Sequence, residues 1–232
     1  MGHDMKIEWG VPVPHQALPR AVRAAEHTWQ PSLSFWRLPA QWDRKAREAG
    51  VRERVFFSPM ADVFERRADL VEPRRRAFEI IDTCTNLDFM MLTKRPQNIR
   101  RMWPVKDCVK GARRNNVWLL TSVSDQATAD EMVPRLLKCR DLVPVLGLSC
   151  EPLLGPVDLW QWIAPKVCGC RGNRDCECFP GKSLLDWIIC GGARPCALEC
   201  DIRRQCEEVE VPCWNECPAD LRVRQMPEVL HG

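Results

Sequence analysis

The sequence lacks several features that would place it in a functional class at once. No apolar run approaches the roughly 18 residues needed to cross a bilayer, and the N-terminus does not have the basic-then-apolar pattern of a secretory signal. A net charge of +3 is too small to indicate a polyanionic partner by itself. The four histidines lie in the tails and form no constellation with a nucleophile. These absences predict a cytoplasmic protein with no membrane partner.

Cysteine is absent from the part of the chain that precedes Cys84, although the whole sequence contains 14 cysteines. Most of the others lie from Cys168 onward. In a cytoplasmic chain, cysteines are interpreted as thiols, metal ligands or cluster ligands before disulfides are considered.

Short apolar runs alternate with helical patterns about six times along the chain. The runs of strand length are 54–58, 88–93, 117–123, 143–148, 185–190 and 211–214. The helical patterns are 34–49, 73–83, 97–103, 127–139 and 197–208. Such alternation is typical of parallel βα units with right-handed crossovers. It predicts an α/β fold, a partial or complete TIM-like βα barrel, with an open sheet as the alternative.

The domain boundaries follow from the same pattern. We expect an irregular segment at 1–33, a βα-barrel-like domain at 34–215 with a cysteine-rich insertion at 166–182, and a tail at 216–232.

Polar residues follow several of the predicted strands, where parallel α/β folds place their chemistry. The run at 143–148 stops at Ser149, Cys150 and Glu151, and Pro152 prevents its continuation. Glu151 is therefore a candidate site residue, although a carboxylate there could equally cap a loop and face solvent. Asp62 is also a reasonable helix N-cap. The expected mouth of the barrel contains Ser58, Asp62, Thr93, Lys94, Ser122, Ser124, Ser149, Glu151, Gly191 and Gly192.

A metal site is predicted within the cysteine-rich insertion. Its two Cys-x-Cys pairs, separated by a short turn containing glycine, are Cys168 with Cys170 and Cys176 with Cys178. Four thiolates arranged in this way could hold Zn²⁺ tetrahedrally. The alternative is a cysteine-rich loop without metal.

The segment Lys94–Arg114 has eight basic residues and one acidic residue, Asp107. Such a stripe could contact the phosphates of a nucleic acid or a nucleotide, and Trp103 could stack on a base. The alternative is an ordinary solvated helix face.

Several strings, in order over about residues 34–195, resemble an uncharacterised phage and prophage protein family. They are Phe35-Trp36-Arg37, Trp42-Asp43-Arg44-Lys45-Ala46, Arg54-Val55-Phe56, Met60-Ala61-Asp62-Val63-Phe64, Leu92-Thr93-Lys94-Arg95-Pro96-Gln97-Asn98-Ile99, Asn116-Val117-Trp118-Leu119, Ser149-Cys150-Glu151-Pro152-Leu153-Leu154-Gly155-Pro156 and Asp186-Trp187-Ile188-Ile189-Cys190-Gly191-Gly192. That family has an N-terminal three-cysteine motif and a βα-barrel body, which suggest a radical-SAM-like enzyme.

The resemblance implies a radical-SAM-like barrel with a four-iron cluster and S-adenosylmethionine as cofactors. Glu151 and Lys94 would be the catalytic residues. The cofactor-binding residues would be Ser149, Gly191, Gly192 and Asp62.

The chain departs from this family where the cofactor chemistry is expected. A four-iron cluster with one open iron needs three thiolates, yet no cysteine stands before Cys84. Gly191-Gly192 also passes directly to Ala193-Arg194-Pro195, without the Glu-Ser-Gly of the family. These departures predict a degenerate member. The alternatives are a zinc-containing nucleic-acid-binding module and an inactive scaffold.

Overall fold

The computed structural model describes residues 33–57, 62–165, 183–191 and 197–215, with the backbone alone described at 33–35, 197–200 and 214–215. Six strands form one sheet in chain order, and every neighbouring pair is parallel. The strands are β1 (Glu53–Phe57), β2 (Leu87–Thr93), β3 (Val117–Ser122), β4 (Val145–Cys150), β5 (Trp187–Cys190) and β6 (Cys213–Asn215). The sheet is curled as a half-barrel, so the described residues form the partial barrel.

Helices connect the strands, as parallel neighbours require. They are α1 (Leu33–Ala49), α2 (Val71–Thr83), α3 (Pro96–Met102), α4 (Gln126–Leu137), α5 (Trp160–Ile163) and α6 (Ala197–Glu208). A short 3₁₀ turn at Ala68–Leu70 leads into α2. In the part of the chain that the structure describes, no helix combines the length and the apolar character needed to cross a bilayer.

The end of α1 shows how local chemistry sets a boundary. Gly50 has a φ of +68°, and the amide of Val51 bonds back to the carbonyl of Ala46 at 3.0 Å. A glycine in this left-handed conformation closes a helix at little steric cost. The predicted end of this helix at residue 49 is confirmed, and the helix continues through Pro39.

The two faces of the sheet have different side chains because alternate residues of a strand point to opposite faces. The helix-covered face includes Leu119, Leu148 and Ile188, which are fully buried. The opposite face, here called the concave face, contains a cluster formed by Met90, Trp118, Leu120 and Trp187, with Leu92, Val145 and Ile189 packed against it.

A buried ion pair joins the helical layer to the loop before β3. The Arg114 guanidinium is 1% exposed, and its Nε and Nη2 each donate to a carboxylate oxygen of Asp82 at 2.8 Å. The guanidinium also lies 4.8 Å from the Phe78 ring centroid and 5.3 Å from that of Trp103. The prediction that Trp103 is available to stack on a base is wrong, because its indole is buried and donates to the Ala112 carbonyl.

The strands were predicted to within about two residues, but one further local prediction was wrong and one helix was missed. Asp62 is not a helix N-cap, since α2 begins nine residues later at Val71. The short helix α5 was not predicted. The boundaries 1–33 and 216–232 and the insertion at 166–182 lie largely outside the described residues, so the domain division remains a prediction.

Candidate functional site

The concave face is built in layers by the register of the parallel strands. The middle layer contains Leu92, Leu120, Gly147 and Trp187, which are paired across β2 to β5. The layer nearer the carboxyl ends contains Ser122, Ser149 and Ile189. The register therefore places two hydroxyls next to each other, directly above an apolar and aromatic floor.

Trp187 lies in the middle layer and has a buried polar atom. The residue is 2% exposed, and its indole Nε1 has no hydrogen-bond partner within the described part of the chain. The ring packs edge-to-face on Trp118, with 5.3 Å between centroids and 87° between planes. A buried donor without a partner costs about 1–3 kcal/mol, so each such group requires an explanation.

Gly147 lies beside Trp187, where the backbones of β4 and β5 approach closely. A Cβ built at Gly147 would stand 2.5 Å from the Trp187 carbonyl oxygen and 3.5 Å from Leu120 Cδ2. Only glycine fits between the two strands at this position. The face is therefore lined by the side chains of β3 and β5, with backbone alone between them.

Glu151 follows β4 at the carboxyl edge, and its loop is fixed from two sides. The Leu154 amide donates to the Ser124 carbonyl at 2.7 Å, and the Val123 amide donates to the Ser149 carbonyl at 2.9 Å. The Oε1 atom of Glu151 is buried. Glu151 thus combines a buried carboxylate oxygen with a fixed loop, while the residue as a whole is partly exposed. Its role as a site residue stays a prediction.

Asp62 holds the end of β2 together. Its Oδ1 accepts from the Phe64 amide at 2.9 Å and from the Thr93 hydroxyl at 2.8 Å. Its Oδ2 accepts from the Lys94 amide at 3.1 Å and from Arg95 Nη1 at 2.9 Å. Four donors therefore surround this carboxylate, which fixes the backbone of Lys94. The Lys94 side chain itself is exposed, whereas Thr93 is 1% exposed and points away from the concave face.

The remaining predicted site residues divide between described and undescribed segments. Gly191 is buried directly after β5, next to the layer of Ser149 and Ile189. Ser58, Gly192 and the four cysteines Cys168, Cys170, Cys176 and Cys178 lie outside the described residues. Within the described ranges, no three histidine, cysteine, aspartate or glutamate side chains are placed to hold a metal ion.

The basic segment Lys94–Arg114 is not a continuous free stripe. Arg95 pairs with Asp62 and Glu65. Two further members, Lys106 and the buried Arg114, both pair with Asp82. Arg100 forms an ion pair with Asp141 on the adjacent surface. Much of the positive charge is thus neutralised within the fold, which weakens the interpretation as a phosphate-binding surface.

An iron–sulfur cluster does not fit the residues present. Radical-SAM-like chemistry needs three thiolates near the carboxyl edge of the half-barrel. The loop that follows β1 contains no cysteine, and neither does any residue before Cys84. On the concave face, the carboxyl-edge groups are hydroxyls, a carboxylate and an amine, which are not ligands of such a cluster. The thiols of Cys150 and Cys190 also end β4 and β5, but they lie on the opposite, helix-covered side and are only two.

A protein-family model described as a protein of unknown function, DUF5131, matches residues 13–217 of the chain. The chain belongs to this DUF5131 family. Comparison with curated proteins gives no significant match, and comparison with solved structures gives none either. Membership in this family does not show what the protein does.

Sequence reasoning did not find Trp187 or Gly147. Both stand within strands whose runs were identified, and the alternation of β5 would have placed Trp187 on the same face as Ile189. The missing information was the register between β4 and β5, which the sequence pattern does not contain.

Proposed function

We propose that the concave face of the half-barrel is a small-molecule site that binds S-adenosylmethionine without an iron–sulfur cluster. In this proposal the chain is a degenerate, radical-SAM-like protein of phage or prophage origin that retains the ligand-binding body of its relatives. The observation that carries the proposal is the buried indole N–H of Trp187 on the same face as Ser149. The origin and the radical-SAM-like ancestry rest on the sequence resemblance alone.

The chemistry of the ligand matches the groups at this edge. S-adenosylmethionine has a planar adenine with nitrogen acceptors, a ribose with hydroxyls, and a sulfonium and an ammonium that are both cationic. The indole N–H of Trp187 would donate to an adenine nitrogen, and the floor around Trp118 would cover the ring. The Glu151 carboxylate would attract the cationic end.

The other groups at the edge take supporting roles in this proposal. Ser149 and the backbone at Gly191 and Gly192 would contact the ribose and the methionine portion. Lys94 would pair with the ligand carboxylate, and Asp62 would position Lys94 through its amide rather than touch the ligand.

Replacing Trp187 by phenylalanine tests the proposal because it removes the N–H and retains a ring. We expect the dissociation constant for S-adenosylmethionine to rise by about tenfold, the equivalent of one lost hydrogen bond. The free energy of unfolding without ligand should stay within about 1 kcal/mol or rise, since an unpaired buried donor is removed. Isothermal titration calorimetry and urea denaturation provide the two values. Trp162→Phe, a buried tryptophan in α5, is the control for a general loss of packing.

Glu151→Gln provides the second variant in the same titration. It should also weaken binding by about tenfold or more, because it removes the charge near the cationic end. Glu131→Gln changes the same chemistry on the exposed surface of α4, where Glu131 pairs with Arg135, and should leave the affinity unchanged. Equal affinities in the parent, Trp187→Phe and Glu151→Gln proteins would contradict the proposed site.

We also propose, from the sequence alone, that Cys168, Cys170, Cys176 and Cys178 bind one zinc ion. Binding would order a loop that is otherwise too polar to pack. We expect about one zinc per chain in the protein purified under reducing conditions, and substantially less in a Cys176→Ser/Cys178→Ser variant. Elemental analysis by mass spectrometry measures both. Zinc in equal amounts in the two proteins, or no zinc in the parent, would exclude the site.

A further inference from the structure

Four cysteines converge on the helix-covered side of the sheet, away from the concave face. Cys150 and Cys190 are the last residues of β4 and β5, and they pair with each other across the two strands. Cys213 is the first residue of β6, and Cys206 lies on α6, which packs on β5 and β6. Cys150, Cys190 and Cys206 are fully buried, while Cys213 is partly exposed.

One pair in this group is already in contact. The Sγ atoms of Cys190 and Cys213 are 3.4 Å apart. A disulfide requires about 2.05 Å between sulfurs, so the two atoms must approach by about 1.4 Å. Cys213 pairs in register with Ile188, so the approach is diagonal across two strands. A strand of three residues at the edge of the sheet can shift more readily than one in the centre.

The arrangement favours a covalent pair over a metal site. Within the described residues no three potential ligands are placed around a common point, so these thiols do not form a metal cage. They also differ from the isolated buried thiols of the same chain. Cys84 is buried beside Thr83, and Cys139 is buried near Arg100 and Asp141.

We propose that Cys190 and Cys213 are an oxidation site, which takes up a peroxide and closes a disulfide between β5 and β6. Cys213, the more accessible thiol, reacts first with hydrogen peroxide and gives a sulfenic acid and one water. The Cys190 sulfur then attacks the sulfenic sulfur, a second water leaves, and the sulfur–sulfur bond forms. The two thiols are oxidised by two electrons and the peroxide is reduced by two.

The surroundings of Cys213 make this reaction slow. The hydrogen bond with Cys190 lowers the pKa of Cys213, but the neighbouring Cys206 thiol and burial raise it more, so the pKa lies well above its ordinary value. Burial likewise raises the pKa of Cys150. Because the thiolate is the reactive form, the disulfide should accumulate under sustained exposure rather than in a brief pulse.

The test is to treat the full-length protein with hydrogen peroxide and identify the linked peptides by mass spectrometry without reduction. Cleavage after Glu210 and Glu216 isolates Cys213 from every other cysteine, and cleavage after Glu199 and Glu207 places Cys206, together with Cys200, on a separate peptide. Cys190 shares its peptide with Cys178 and Cys196, so fragment spectra of the linked pair identify which of the three is joined. We expect a peptide pair joining Cys190 to Cys213, and a midpoint of thermal unfolding raised by about 5 °C or more after oxidation. The shift should disappear on reduction.

Two variants separate the pair from the other thiols. Cys213→Ser should lose both the linked peptides and the oxidation-dependent thermal shift, whereas Cys139→Ser should retain both. If Cys213→Ser folds poorly, the disulfide-linked peptides of the oxidised parent protein still show whether Cys190 and Cys213 are joined. Recovery of Cys190 and Cys213 as thiols after full peroxide treatment, or a link from either of them mainly to another cysteine, would overturn the proposal.

Discussion

Replacing Asp82 by alanine is expected to lower the free energy of unfolding by about 3–5 kcal/mol. The loss is large because the Arg114 guanidinium remains buried, with 1% exposure, after its bidentate carboxylate partner is removed. Its other polar contact is one hydrogen bond from Nη1 to the Pro104 carbonyl at 3.1 Å. One carbonyl and two aromatic rings cannot compensate a buried cation.

Urea denaturation followed by tryptophan fluorescence measures this effect, and the chain provides a matched control. Asp141→Ala also removes the partner of an arginine, but Arg100 and Asp141 are both more than half exposed. That change should cost less than about 1 kcal/mol. A double Asp82→Leu/Arg114→Met variant should recover much of the lost stability, since it removes both charges. If Asp82→Ala and Asp141→Ala lower the free energy of unfolding equally, the ion pair of Asp82 and Arg114 is not buried in solution.

Gly147→Ala is expected to lower the free energy of unfolding by about 3 kcal/mol. The new methyl carbon would stand 2.5 Å from the Trp187 carbonyl oxygen, and this oxygen belongs to the backbone of the neighbouring strand. A backbone atom cannot rotate away as a side chain can, so β4 and β5 must separate locally. The same displacement moves Trp187 and should weaken binding of S-adenosylmethionine by about tenfold.

Gly155→Ala is the control for this substitution. Its added carbon would meet Asp125 Cβ at 3.7 Å, an ordinary van der Waals distance. We expect a change in unfolding free energy of less than about 1 kcal/mol and unchanged ligand affinity. If Gly147→Ala and Gly155→Ala have the same stability, the close approach between β4 and β5 is not present in solution.

The strands could be predicted from the sequence because each is a short apolar run bounded by polar or glycine residues. β2 and β3 are almost wholly buried, so their runs lack polar alternation and are easily recognised. The helix α5 was missed because four residues between Pro156 and Pro165 have no detectable period.

The polar residues were harder to assign because their roles depend on distant partners. Asp62 was interpreted as a local cap, yet it bonds to Thr93, Lys94 and Arg95, about 30 positions away. Arg114 was counted with the exposed basic residues, and only its contacts with Asp82, Phe78 and Trp103 explain its burial. Charge clustering in a sequence does not distinguish a surface patch from buried ion pairs.

The candidate site was predicted in part. Ser149 and Glu151 were identified from the abrupt end of one apolar run, and both lie at the carboxyl edge of β4. The contact between Cys190 and Cys213 and the close backbone approach at Gly147 depend on strand register. Register is set by packing over the whole sheet, so neither feature was accessible from a single strand.

The most direct measurement of the central claim is S-adenosylmethionine binding by the purified protein before and after anaerobic treatment with iron and sulfide. We expect the same dissociation constant in both samples, because the carboxyl edge binds the ligand through its own residues. We also expect the treated protein to contain far less iron than the about four atoms per chain of a complete cluster. Binding that appears only after a four-iron cluster assembles, or no binding in either sample, would contradict the central claim.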